Sequence, residues 1–211
     1  MSSRKVQRDT RIVTSLLVLC LIGFGMIPVL AGEPEGGDSP KAVFKAAQEA
    51  GSKRDFVALA KLVAPSERPM MAFGTDMGVG MFVEFYEGEK ADALKKKYQK
   101  IQDKYKIKIG EEEEEGEKFK MTQDTPQEEI DEHMRKRALK FYGHVDVVHY
   151  VPELMGIVLN MPEMAEQEFF PYDKLTNLKI NGDKASGTAG DEKIDFLREG
   201  GRWYLTADVM D

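Results

Sequence analysis

Cysteine is almost missing from this chain. The one thiol, Cys20, lies near the start of 211 residues. No intrachain disulfide is therefore available, and everything after Cys20 lacks a thiol nucleophile and any cysteine-based zinc or iron–sulfur ligand set. Histidine is scarce too: His133, His144 and His149 are the only three. Tryptophan occurs once, as Trp203. The sequence has no Gly-rich phosphate loop, no serine-nucleophile elbow and no paired-Cys motif. Positive charge is also in deficit, with 30 Lys+Arg against 37 Asp+Glu and a net charge of −7. An acidic chain is repelled on average by phosphate backbones and by anionic membrane surfaces, so nucleic acid is excluded as a partner and a membrane surface is disfavoured.

Charge and apolarity are segregated at the N-terminus. Arg4, Lys5, Arg8 and Arg11 precede a stretch, Ile12 to Leu30, without a charged residue, and Val29-Leu30-Ala31 closes it with modest side chains. A basic head, an apolar middle and a small-residue exit predict a secretory signal over residues 1–31, cleaved after Ala31. The alternative is an uncleaved anchor, because 19 uncharged, largely apolar residues approach the length of a membrane-spanning helix. Membrane contact is then expected only through residues 12–30. A lipid-modified Cys20 fits less well, since Leu19 precedes it and apolar sequence follows. In either main case the rest of the chain is exported, to a periplasm, cell envelope or medium. Cleavage leaves 26 basic and 36 acidic residues, a net charge of −10.

The exported part reads as a linker over 32–38 and a single domain over 39–211. Ser39-Pro40 supplies an N-cap and a first-turn proline, with Val43, Phe44, Ala47 and Ala50 as the buried stripe and Gly51 as the stop. A second helix spans about 55–64, with Phe56, Leu59, Leu62 and Val63 inward. Across 69–86, Phe73, Met77, Met81 and Phe85 fall at helical spacing, interrupted by Gly74, Gly78 and Gly80. Residues 89–104 form an amphipathic pattern, Leu94, Tyr98, Ile101 and Tyr105 on one side and lysines opposite. Period-two segments at 105–109 and 117–121 predict a hairpin around Glu111–Glu115. Thr125-Pro126-Gln127-Glu128 reads as a capping box for a helix to Tyr142 that buries Ile130, Met134, Ala138 and Phe141, with Asp131–Arg135 and Glu132–Lys136 pairing outside. An apolar helix follows over 146–160, kinked or started by Pro152. Four short alternating segments at 175–180, 184–189, 193–197 and 202–206, separated by Gly-bearing turns, predict an antiparallel meander. Helices first and strands last give an α+β class.

Two stretches carry a resemblance. Residues 39–65, a Ser-Pro start, two helices and a Gly-Ser-Lys-Arg-Asp connection, resemble the opening hairpin of exported NTF2-like (cystatin-like cone) domains. Residues 178–205, with Ile180-Asn181-Gly182-Asp183-Lys184-Ala185 and then Ile194-Asp195-Phe196 through Gly201-Arg202-Trp203-Tyr204, resemble their closing strands. The resemblance covers a quarter to a third of the exported chain, and residues 66–174 depart from it by being longer and mostly helical. It implies a curved sheet wrapped on helices, with a concave pocket that Trp203, Asp195 and Arg202 would line, and a homodimer formed through the outer sheet face. It implies no single activity.

The residues themselves offer few sites. His144, Asp146 and His149 are the one compact group of ligand-type side chains, suited to a transition metal or a general base. On a helix Asp146 and His149 share a face. His144 and His149 are roughly 140° apart, so His144 joins them only from the turn at Gly143. Glu111–Glu115 lacks the interleaved Gly, Asn or Asp that folds a loop around calcium, and reads as a solvated run. Met70, Met71, Met77, Met81, Met155, Met161 and Met164 lie mostly among apolar residues as gap-fillers rather than as copper ligands. No metal or cofactor is expected. The expectation is an exported, non-enzymatic module for a small ligand or protein partner. The alternatives are a pocket enzyme using Asp146, His149 or His144, and a membrane-tethered structural protein.

Overall fold

The structure, a computed structural model, describes residues 35–87, 90–108, 122, 125–161 and 169–207. The export segment with Cys20, the Glu111–Glu115 run, the segment 117–121 and Met164 lie outside the described residues. From Glu35 onward the chain forms one compact unit. Among the described residues six helices come first: α1 Pro40–Lys53, α2 Phe56–Leu62, α3 Arg68–Phe85, α4 Ala91–Tyr105, α5 Gln127–Tyr142 and α6 Val147–Val158. Four strands follow as an antiparallel meander: β1 Leu175–Asn181, β2 Lys184–Ala189, β3 Glu192–Glu199 and β4 Arg202–Leu205. The class is α+β.

The meander follows from its turns. The strand pairs Asn181–Lys184, Ala189–Glu192 and Glu199–Arg202 each close a two-residue loop. Each loop opens with a glycine at positive φ: Gly182 at 61°, Gly190 at 60° and Gly200 at 56°. That backbone matches the right-handed twist of the flanking strands, and L side chains resist it. The registers put Ala185, Ala189, Ile194, Phe196, Trp203 and Leu205 on one face, where they bury against Val43, Phe44 and Ala47 of α1 and Phe56, Leu59 and Leu62 of α2. Trp203 and Leu205 on β4 are also bridged by Gly37 and Val63, so that edge is covered. The space a cone would leave open between helices and sheet is filled by these side chains.

α2 has a second face. Its Ala60, with Val63 just past its end, belongs to a helical core built from α3, α4, α5 and α6. α3 packs on α4, α5 and α6, and α6 also packs on α2 and α4. Among the described residues no helix is long and apolar enough to cross a membrane.

Several expectations are corrected in detail. Gly51 does not end α1. The helix runs to Lys53 and Arg54 takes the left-handed position at φ 54°. Gly51 is needed because a Cβ there would lie 2.0 Å from the Phe169 carbonyl oxygen. Of the spaced set on α3, Phe73 is buried but Met77, Met81 and Phe85 face out, and Met71, Ala72, Asp76, Val79 and Val83 complete the inner face. Tyr105 closes α4 and Lys106 adopts the left-handed cap at φ 58°, so no strand starts there. Pro126, not Thr125, is the N-cap of α5, and Thr125 Oγ1 instead accepts from the Thr122 N–H at 2.9 Å. Ile130 and Met134 are only half-buried, and Tyr142 is the residue the pattern missed. Glu132–Lys136 pairs at 2.7 Å, but Arg135 goes to Glu67 at 2.5 Å and Asp131 accepts from Gln127 at 2.7 Å. Pro152 lies inside α6.

Candidate functional site

Asp146 is the N-cap residue of α6 yet makes no side-chain cap bond. Its Oδ2 lies 2.7 Å from Nδ1 of His149, one helical turn on. A carboxylate only accepts, so Nδ1 donates its proton to Asp146; Nε2 is the ring's other nitrogen, an acceptor in the neutral tautomer. Both side chains are open to water, at 62% and 66% exposure. His144 is exposed in the preceding turn. Among the described residues no group of three His, Cys, Asp or Glu side chains converges in a way that could hold a metal. The structure therefore joins two of the three expected residues as a base-type pair. His133 is half-buried and partnered on α5.

A pocket of about 220 Å³ opens between the α2–α3 and α5–α6 connections, lined by Asp146 of the pair but not by His149. Pro65, Pro69, Val145 and Val148 also line it, and Arg68 and Asp146 are its charged residues. Arg68 is held by Glu35 at 2.6 Å and by the carbonyls of Val63 and Lys61 at 3.3 and 3.4 Å. Tyr142 also lines the pocket, and its hydroxyl donates to the buried carboxylate of Asp76.

Trp203, Asp195 and Arg202 are not brought together. Trp203 sits in the helix–sheet core with the Arg198 guanidinium 5.9 Å from its ring centroid. Asp195 and Arg202 are on the opposite sheet face. Asp195 pairs with Lys193 at 2.7 Å. Arg202 clamps the entering chain, donating to the Glu35 and Gly36 carbonyls at 2.6 and 3.0 Å and to Asp38 at 3.2 Å. Residues 35–38 are thus pinned to β4 rather than being a free linker.

The most unusual chemistry went unnoticed in the sequence. Asp76 on α3 is 1% exposed. Its Oδ1 accepts from the Tyr98 hydroxyl at 2.9 Å and from Gln102 Nε2 at 2.5 Å, both on α4, and its Oδ2 accepts from Tyr142 on α5. Gln102 also donates to the Tyr150 hydroxyl on α6 at 3.2 Å. Burial pushes the phenols of Tyr98, Tyr142 and Tyr150 well above the ordinary tyrosine range, and the Asp76 charge adds to the rise. Gly80, one turn along α3, makes room: a Cβ there would meet the Tyr98 hydroxyl oxygen at 2.8 Å. One carboxylate thus gathers four helices through neutral donors, sealed from solvent. The available signal was that Asp76 is the only charged residue between Arg68 and Glu84. The chain matches no protein-family model, no curated protein and no solved structure in comparisons with each.

Proposed function

We propose that this chain is an exported, non-enzymatic cell-envelope protein that holds a small ligand in the pocket beside Asp146. The observation that carries the reading is the pocket's lining: a cation, Arg68, and an anion, Asp146, beside Pro65, Pro69, Val145 and Val148. Few, placed polar groups among apolar ones are the usual make-up of a small-molecule site, and about 220 Å³ suits a ligand smaller than most. A zwitterion of amino-acid size is the ligand class this pair of opposite charges would suit, and it would have to share Arg68 with Glu35 and Asp146 with His149. The basic-then-apolar segment 1–31 supports export, and the α1–α2 hairpin packed on a closing meander supports NTF2-like kinship. A homodimer through the outer sheet face belongs to the same reading.

The test is thermal unfolding of the chain from Gly32 with a panel of free amino acids. A ligand that binds only the native state raises the midpoint with concentration. Val145→Phe, which fills the pocket, is expected to abolish the rise. No rise with any amino acid sinks the reading. Intact mass of the native protein tests export separately, since a mass beginning at Gly32 is expected and one that includes residues 1–31 supports the tethered alternative. The Asp146–His149 pair favours a second reading, a pocket enzyme with His149 Nε2 as base. It requires hydrolysis or isomerisation of a small substrate that His149→Ala eliminates.

A further inference from the structure

α3 is apolar on both faces: Phe73, Val79 and Val83 face the core beside Asp76, and Met77, Met81 and Phe85 stand outward at 51%, 56% and 76% exposure. The three are four residues apart, so they form one stripe along the helix. Gly78 lies in the same exposed surface, and a Cβ added there would meet nothing within 4 Å. Contiguous apolar side chains at the surface mark a contact region.

The neighbouring helix identifies the contact. Residues 90–108 hold eight lysines against two aspartates, a net charge of +6 in a chain of net −7. Lys95 bridges to Glu84 of α3 at 3.2 Å, which places this lysine directly beside the stripe, whereas Lys97 and Lys104 reach the other way, to Gly156 and Glu153 of α6. Lys96 and Lys100, a turn apart, are exposed further out on α4. Glu84 is taken up by Lys95, and Glu87, Asp92 and Asp103 are the exposed acids nearby among the described residues; counted from Glu84 to Lys108, eight lysines stand against five acids, a net charge of +3. Charges further than about 8 Å are screened at physiological ionic strength, so this local surplus governs what approaches, and the chain's net charge does not.

We propose that the α3–α4 face docks on an anionic lipid surface, with Phe85, Met81 and Met77 entering the headgroup–acyl boundary and Lys96 and Lys100 meeting lipid phosphates. A polar face rich in lysine beside an apolar one is the pattern of interfacial binding. A second copy fits less well: laying α3 antiparallel on another α3 about a two-fold axis sets one lysine row opposite the other, and like charges repel. The inference is independent of the pocket.

The experiment is cosedimentation of the chain from Gly32, which holds the whole compact unit beginning at Glu35, with two kinds of vesicle. One is pure phosphatidylcholine and the other is phosphatidylcholine with an equal share of phosphatidylglycerol. Binding is expected only to the anionic vesicles and is expected to fall with added salt. Phe85→Ser is expected to weaken it roughly ten-fold, and Lys96→Ala and Lys100→Ala about five-fold each. Lys184→Ala on β2 is expected to leave it unchanged. Met81→Gln serves as a second probe of the stripe should Phe85→Ser shift the melting temperature. Equal binding to both vesicles, no binding to the anionic ones, or binding indifferent to both stripe variants overturns the proposal. So does a concentration-dependent dimer that Phe85→Ser dissociates while vesicles bind nothing, which would assign the stripe to a second copy.

Discussion

On one side of α2, Phe56, Leu59 and Leu62 join Ile194, Phe196 and Leu205 in a core with no charged member. On the other side, Ala60 and Val63 border a helical layer with the Asp76 carboxylate inside it. The side chains of the first core are joined by apolar contact, which is non-directional and tolerates repacking. The second is held partly by three bonds to one ionisable group, which demand donors at fixed places. The comparison teaches where uniqueness resides. The sheet layer is stabilised by how much it buries. The helical layer is specified by what converges on Asp76.

The sharpest way to break the contrast is to damage each side once. Phe196→Ala, at a position 1% exposed, removes packing without leaving a polar orphan and is expected to cost about 3–5 kcal/mol, read by chemical denaturation. Asp76→Asn keeps the volume and replaces a charged acceptor. It is expected to cost about 1.5–3 kcal/mol, with tyrosine fluorescence reporting the loss. An Asp76→Asn protein as stable as the parent would erase the distinction between the cores.

Two glycines of α3 sharpen it further. Gly80→Ala pushes on the Tyr98 hydroxyl and is expected to destabilise by about 1–3 kcal/mol. Gly78→Ala, with open space around its Cβ, is expected to stabilise by about 0.5–1 kcal/mol in the same assay. If the two behave alike, Gly80 is not serving the network.

Alkaline pH tests the phenols. Their native pKa values lie above the ordinary value near 10. Above that pH the unfolded chain loses phenolic protons that the native protein retains. The unfolded state then binds fewer protons, and stability falls with rising pH. The contribution is fully present below about pH 10 and is lost as pH climbs toward the native values. Tyr142→Phe is expected to flatten this decline, measured as denaturation midpoints at successive pH values. The smallest effect is expected at the exposed pair, where His149→Ala changes stability by less than about 0.5 kcal/mol. A larger loss would mean the pair supports the fold rather than standing ready at the pocket.

Legibility in the sequence follows how local each cause is. Ser39 caps α1 by accepting from the Ala42 N–H at 3.2 Å, three residues away, and that spacing is visible in the letters. Asp146 and His149 share a face because they are three apart, which is also visible. The reading of α3 failed because its residues are apolar nearly all round. Periodicity then has no contrast to detect, and the stripe of Met77, Met81 and Phe85 looked as good as the true inner face. Trp203, Asp195 and Arg202 were grouped because the family resemblance implied a concave pocket, whereas strand alternation sends Trp203 to one face and Asp195 and Arg202 to the other.

The sequence by itself determined the α+β class, the three glycine-led turns of the meander and the first helical hairpin. Each of these rests on contacts within a few residues. Only the tertiary structure decided that Asp76, Tyr98, Gln102, Tyr142 and Tyr150 meet, that the space under the sheet is filled, and that Lys95 of α4 borders an apolar stripe on α3. Those outcomes depend on how helices from distant parts of the chain rotate against one another. Rotation is set by the sum of many packing contacts, which no single spacing in the sequence records.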